Sequence, residues 1–246
     1  MRVLILGGTG EARAIAAGLH ARGGVAFESS LAGRVSNPAL PVGPVRAGGF
    51  GGGPGLTTFL RDGRFDAVVD ATHPFAATIT ANATAACASL GVPLVVVRRP
   101  GWHAEPGDDW QRVPDIAAAA AAVAATGVRC VLLTTGRRDL SAFAGDDRHH
   151  YVVRTVDPPE PPTPRHMTLL LSRGPYTVAG ELALFAEHSV DVLVTKDSGG
   201  DMTSAKLVAA RERGNPVVVL DRPRLPVGVE VVESPAEVIH WIDLRE

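Results

Sequence analysis

The sequence predicts an α/β protein in two halves, each a parallel sheet wrapped in helices, with a ligand cleft between them. Three observations carry that reading. Short apolar runs alternate with helical stretches along nearly the whole chain, as parallel strands joined by crossover helices do. The alternation breaks once, over residues 98–110, and then restarts. Loops rich in glycine or arginine follow several of the apolar runs, at the strand ends where such folds hold ligands. Two doubly wound domains of Rossmann or flavodoxin-like type are therefore expected, one over residues 1–100 and one over residues 101–246.

Val3 to Leu6 reads as a buried strand, and Glu11 to Arg22 as the helix after its turn. Val25 to Ser29 is the second strand, and Leu56 to Leu60 a short helix behind a glycine-rich loop. Ala67 to Asp70 is the next strand, Ala76 to Leu90 a helix, and Pro93 to Val97 a further strand. Arg98 to Trp110 holds two prolines, two glycines and two tryptophans without a steady period, and reads as a linker with binding potential. The second half begins with a helix near Ile116 to Ala125 and strands at Arg129 to Leu133, Tyr151 to Arg154 and Thr168 to Leu171. A helix from Tyr176 to Glu187, a strand at Val190 to Val194 and a helix at Thr203 to Arg213 follow. Pro216 to Leu220 is the last expected strand, and Pro235 to Leu244 the closing helix.

Composition narrows the function classes. The 246 residues are 46% hydrophobic and 20% charged, enough for an ordinary core, and the net charge of −2 leaves no basic footprint for nucleic acid or anionic membranes. Cys87 and Cys130 form neither a disulfide framework nor a zinc pattern, so no metal site is expected. The first apolar run is too short for a signal-peptide core, and the tract from Ile116 to Ala125 covers about half a bilayer. A cytoplasmic protein without a membrane span is the expectation. Among the basic residues only Lys196 and Lys206 are lysine. Codon bias toward arginine explains most of this. A need for a compact ammonium is the other explanation.

The loops carry the candidate chemistry. Gly7-Gly8-Thr9-Gly10-Glu11-Ala12-Arg13 follows the first strand and opens a helix, where backbone N–H groups and the helix end attract a phosphate. Arg13 stands where a dinucleotide fingerprint has its third glycine, and puts a guanidinium beside the anion. A plain tight turn is the alternative. At the end of the second strand, Ser29 and Ser30 with Arg34 suit a 2′-phosphate, hence NADP, with Glu28 as the competing acid one register step away. Gly48 to Gly55, with Gly51 and Gly52 inside it, reads as a ligand wrap or as a flexible connection. Thr72 and His73 share a sheet edge with Thr9, and His73 is either a proton donor or a helix cap. In the second half Arg137, Arg173, Lys196 and Lys206 line one sheet edge, a pattern for a ligand with several anionic groups. No Ser-His-Asp arrangement, Walker lysine loop or HExxH helix is present.

Taken in order, these motifs resemble the precorrin-6A reductase family of cobalamin biosynthesis. The residues that carry the resemblance are Gly7-Gly8-Thr9 with Glu11-Ala12-Arg13, Ser30 to Arg34, Gly48 to Gly55, and Asp70 to Ala76. Thr135-Gly136-Arg137, Arg173-Gly174-Pro175 and Thr195 to Gly200 continue it, so it runs from residue 5 to about residue 210. The resemblance implies an NADPH-dependent reduction of one ring double bond of precorrin-6A, giving precorrin-6B. It implies that Gly8, Thr9, Gly10 and Arg13 hold cofactor phosphates, with Ser30 and Arg34 near the 2′-phosphate and Gly51 and Gly52 closing over the cofactor. Thr72 and His73 are then expected at the reaction centre. Arg137, Lys196 and Ser198 are expected on substrate carboxylates or at the nicotinamide side, Arg173 and Lys206 on substrate carboxylates, and His73 or Lys196 supplies the proton unless water does. Trp102 and Trp110 are either macrocycle platforms or packing. Other enzymes of the same pathway are candidate partners. The alternatives are an NADP-dependent reductase of another carbonyl or imine, disfavoured because neither Tyr151 nor Tyr176 has a lysine four residues on, and a non-catalytic NADP-sensing module.

Overall fold

The computed structural model of the chain describes residues 1–33 and 38–246. It divides into two compact units, one made of Met1–Pro100 with Pro223–Glu246, the other of Gly101–Arg222. In chain order the first unit begins β1 (Arg2–Leu6), α1 (Gly10–Arg22), β2 (Ala26–Leu31) and β3 (Val45–Ala47). It continues with α2 (Gly52–Asp62), β4 (Ala67–Asp70), α3 (Ala77–Leu90) and β5 (Leu94–Val97). The second unit holds β6 (Trp110–Val113), α4 (Ile116–Ala124), β7 (Cys130–Leu133), β8 (His150–Thr155) and β9 (Met167–Leu171). Then come α5 (Val178–Glu187), β10 (Val192–Lys196), α6 (Ala205–Arg213) and β11 (Val217–Leu220). The chain ends with β12 (Glu230–Val232) and α7 (Pro235–Asp243), back in the first unit.

This corrects the expected boundary. Residues 223–246 do not belong with 101–222: β12 pairs in parallel with β5, Glu230 opposite Val95, and α7 packs on α1. The physical reason is visible in α7. Val238, Trp241 and Ile242 are buried in the cluster that contains Val3, Ile5, Ile15 and Leu19 of the first unit. Three short strands, β3, β6 and β12, were not expected from the sequence, and β6 begins inside the segment read as a linker.

Among the described residues both sheets have six strands, all pairings are parallel, and the spatial order repeats: β12-β5-β4-β1-β2-β3 in one and β6-β11-β10-β7-β8-β9 in the other. With each sixth strand set aside this is the 3-2-1-4-5 progression of dinucleotide-binding sheets, whose switch point lies between the first and fourth strands. Burial on both faces explains the unbroken apolar strands. In β1, Val3 and Ile5 meet α1 and α7, while Leu4 and Leu6 meet Leu56, Leu60 and Ala83 on α2 and α3. In the second sheet Leu132, Val152, Leu193 and Val219 pack on Phe185, Leu207 and Ala210 of α5 and α6. Because all strands run one way, the loops after β1, β2 and β4 open at one edge of the first sheet, and those after β7, β8 and β10 at one edge of the second. No helix among the described residues is long and apolar enough to cross a membrane.

Candidate active site

At the switch point of the first sheet the turn after β1 is tight and open. Gly8 has φ of +113°, and a Cβ added there meets nothing within 4 Å, so backbone lies bare in front of the helix. Thr9 caps α1: its hydroxyl accepts from the Ala12 N–H at 3.1 Å and donates to the Ala71 carbonyl at 2.6 Å. One side chain thus ties the β1 turn to the end of β4. Gly10 is the first residue of α1, and Arg13, half-buried, follows in the next turn. Glu11 also stands at this helix end, 2.8 Å from the Arg99 guanidinium. Burial alone would raise its pKa. Its own backbone N–H and Arg99 overcome that and hold the carboxyl below the usual carboxylate value.

The acid and the hydroxyl stand at different points of β2. Glu28 sits in mid-strand opposite Leu4 and pairs with Arg2 at 3.2 Å, away from the tip. Ser30 is at the tip, and the Arg46 guanidinium donates to its hydroxyl at 2.8 Å and to the Gly48 carbonyl at 3.1 Å. Arg46 also lies over the Phe50 ring at 4.1 Å. Sequence reasoning missed Arg46, which lies on the unexpected strand β3. Arg34 lies outside the described residues. Gly51 and Gly52 have φ of +80° and +84° and start α2, four residues before the expected helix. A Cβ on Gly55 would stand 1.7 Å from the Phe50 carbonyl oxygen, so part of the glycine density serves close packing of that turn.

Asp70 is buried at the end of β4 and organises the next turn. One oxygen accepts from the Thr72 N–H at 3.0 Å and the Thr72 hydroxyl at 2.6 Å; the other accepts from Thr80 at 2.6 Å. His73 Nδ1 accepts from the Phe75 N–H at 3.2 Å. In the neutral ring the proton therefore sits on Nε2. His73 thus braces the turn that leads to α3, whose own N-cap is Ala76. Asp70 was a second residue not singled out, although a lone acid closing an apolar run, with threonines two and ten residues on, was the available signal.

In the second unit Lys196 ends β10 and lies 2.6 Å from Asp139, which joins two of the expected motifs. Arg137 is 3.6 Å from Asp157, Arg173 is exposed, and the Ser198 N–H donates to the Lys196 carbonyl at 2.7 Å. The Thr135 hydroxyl is buried just past the end of β7, with no hydrogen-bond partner among the described residues. Asp197 points into the unit and accepts from the Trp102 N–H at 3.0 Å and from Arg112 at 2.9 Å. Lys206 departs from expectation. It is 4% exposed, turned into the core beside Arg154 and Glu181, and its ammonium donates to the Thr203 carbonyl at 2.5 Å. It is no surface contact for a carboxylate, because position 206 falls on the core face of α6 with Ala205, Leu207, Ala209 and Ala210. One face of the half-buried Trp102 ring covers the Lys206 ammonium at 4.6 Å. Among the described residues no cluster of histidine, cysteine and acids could hold a metal.

Comparisons with known proteins show the family. Residues 2–243 match the family model described as precorrin-6x reductase CbiJ/CobK. A precorrin-6A reductase of Rhodococcus erythropolis is 53% identical over 98% of this chain and 97% of its own. A precorrin-6A reductase of Mycobacterium tuberculosis is 52% identical, again over 98% and 97%. The solved structure of a CobK precorrin-6A reductase superposes with a TM-score of 0.91 at 41% identity, covering 99% of this chain and 96% of that one. With two sheets of one dinucleotide-binding order and a family match over nearly every residue, this chain belongs to the CbiJ/CobK precorrin-6x reductase family.

Proposed function

We propose that this protein is the precorrin-6A reductase of a cobalamin pathway, reducing one ring double bond of the metal-free macrocycle with NADPH to give precorrin-6B. The observation that carries the reading is the match across residues 2–243 to a reductase family on a fold whose first switch point is open and glycine-lined. Bound there, NADPH supplies a hydride to a ring carbon, and a proton goes to the neighbouring carbon.

The residues at the first edge fit a dinucleotide. Backbone N–H groups from Gly8 to Gly10 and the amino end of α1 take the pyrophosphate, and Arg13 adds positive charge. Ser30 with the Arg46 guanidinium takes the 2′-phosphate, and among the described residues no acid stands at the β2 tip to repel it. Gly51 and Gly52 let the turn before α2 approach the cofactor. Thr72, oriented by Asp70, faces the reacting end, and His73 donates from Nε2. In the second unit Arg137, Arg173, Lys196 and Ser198 hold acetate and propionate groups, with Asp139 keeping the Lys196 ammonium in place.

The test is direct. Purified protein is mixed with precorrin-6A and either NADPH or NADH, with a protein-free control. A change in the macrocycle spectrum matched one-to-one by NADPH oxidation is expected, with NADH far slower. If NADPH binds but the metal-free macrocycle is unchanged while the cobalt-bearing one turns over, the substrate half of this reading falls.

A further inference from the structure

Three carbonyls in a row of four residues, Gly200 to Thr203, are each held by a donor from a different part of the second unit. The Trp102 indole N–H donates to Gly200 at 3.0 Å, the Tyr176 N–H to Met202 at 3.3 Å, and the Lys206 ammonium to Thr203 at 2.5 Å. The segment directly follows Lys196 and Ser198. Trp102 makes one of these contacts and adds two of its own nearby. Its backbone N–H reaches the Asp197 carboxylate at 3.0 Å, at the start of the loop, and its indole reaches Gly200 in the middle. Its ring then covers the Lys206 ammonium, which holds the far end. Asp197 is fixed from the other side by Arg112 at 2.9 Å, and Arg222 donates to its backbone carbonyl at 2.9 Å. Gly101 is needed for the approach, since a Cβ there would stand 2.8 Å from the Asp197 carboxylate.

A glycine-containing loop after a strand is mobile unless its backbone groups are bonded. Here Gly199 and Gly200 have φ of +66° and +70° and add no restraint of their own. We infer that Trp102 is a positioning residue for the reduction: it clamps the Lys196–Thr203 loop at both ends and so fixes Lys196 and Ser198 for the substrate. This rests on the substrate role given to that loop under the proposed function. The charged groups facing Lys206 from the packed elements are Arg154 on β8 and Glu181 on α5, themselves paired at 2.6 Å, so the ammonium depends on the indole face and the Thr203 carbonyl for the rest of its stabilisation.

Two variants separate the contacts. Trp102→Phe keeps a ring over Lys206 and removes the indole donor; Trp102→Leu removes both. With precorrin-6A and NADPH, kcat is expected to fall about five- to tenfold for Trp102→Phe, the worth of one hydrogen bond, and further for Trp102→Leu, at an unchanged KM for NADPH. Amide hydrogen exchange over residues 197–204 is expected to speed up in the same order. It needs no substrate, so it tests the clamp even if the wild-type protein leaves precorrin-6A unreduced, a result that would remove the functional reading alone. Wild-type exchange in both variants would overturn the clamp. Faster exchange with wild-type kcat would overturn its role in the reaction.

Discussion

Thr9 shows how much one hydroxyl does at the residue scale. It caps α1 and bonds the Ala71 carbonyl, so Thr9→Val is expected to lower stability by about 1–2 kcal/mol, seen as a lower denaturant midpoint, and to raise KM for NADPH. Arg46→Ala is expected to weaken NADPH about tenfold while leaving NADH nearly unchanged, because it strips the Ser30 partner and touches no other proposed phosphate group. Steady-state kinetics with the two cofactors checks this. Lys206 carries a pH signature. Burial, with the Arg154 guanidinium beside it, pushes its ammonium from the ordinary 10.5 down to about 7, against the opposing pull of Glu181. Between those values the unfolded chain binds the proton and the folded one does not, so stability rises with pH across that window. The penalty of burying the charge is fully present below pH 7. Lys206→Met is expected to remove the rise: urea midpoints measured at pH 7 and at pH 9.5 should climb for wild type and stay closer together for the variant.

At the scale of elements, legibility followed burial. The central strands were readable because apolar runs such as Val3-Leu4-Ile5-Leu6 and Val192-Leu193-Val194 are covered on both faces. The strands that escaped notice, β3, β6 and β12, all lie at sheet edges. Each is three or four residues long and mostly uncovered, so no run of apolar residues announces it. The miss had a consequence for the site, since Arg46 sits on β3 and could not be placed beside Ser30. Conversely, the position of Thr72 and His73 just past β4 was legible because they directly follow the buried run ending at Asp70. The orientation of Lys206 was not, because a helix with alanines on several sides gives a weak facial pattern. α7 is a further case, read as a closing helix but credited to the wrong half. Its Trp241 is 4% exposed against the α1 face, and Trp241→Ala is expected to cost about 3–5 kcal/mol and to melt the first unit ahead of the second in a thermal scan.

On the scale of the whole molecule, the return of the chain at residue 223 makes the second unit an insertion into the first. Each sheet has its own six strands and core, and the sixth position is filled by the chain's end in one and by the strand that opens the unit in the other. Linear alternation in the sequence cannot show this, because βα repetition reads the same whether the last strand extends the second sheet or completes the first. The point of insertion is narrow: the Arg98 guanidinium donates to the Pro223 carbonyl at 2.9 Å, and the Arg98 N–H to Val232 at 2.8 Å. Chain ends so close are the geometry in which inserted domains can be excised. Replacing residues 101–222 by a short glycine-serine linker is therefore expected to leave a folded first unit with a cooperative melt. If the pyrophosphate turn and the Ser30–Arg46 pair carry most of the cofactor's affinity, calorimetry should find NADPH bound to that unit within about tenfold of the intact chain, and no turnover of precorrin-6A. Loss of NADPH binding from a folded excised unit would move the cofactor's main contacts into residues 101–222. An excised unit that fails to fold would show that the unit boundary at 100 and 223 is not a boundary of cooperative stability.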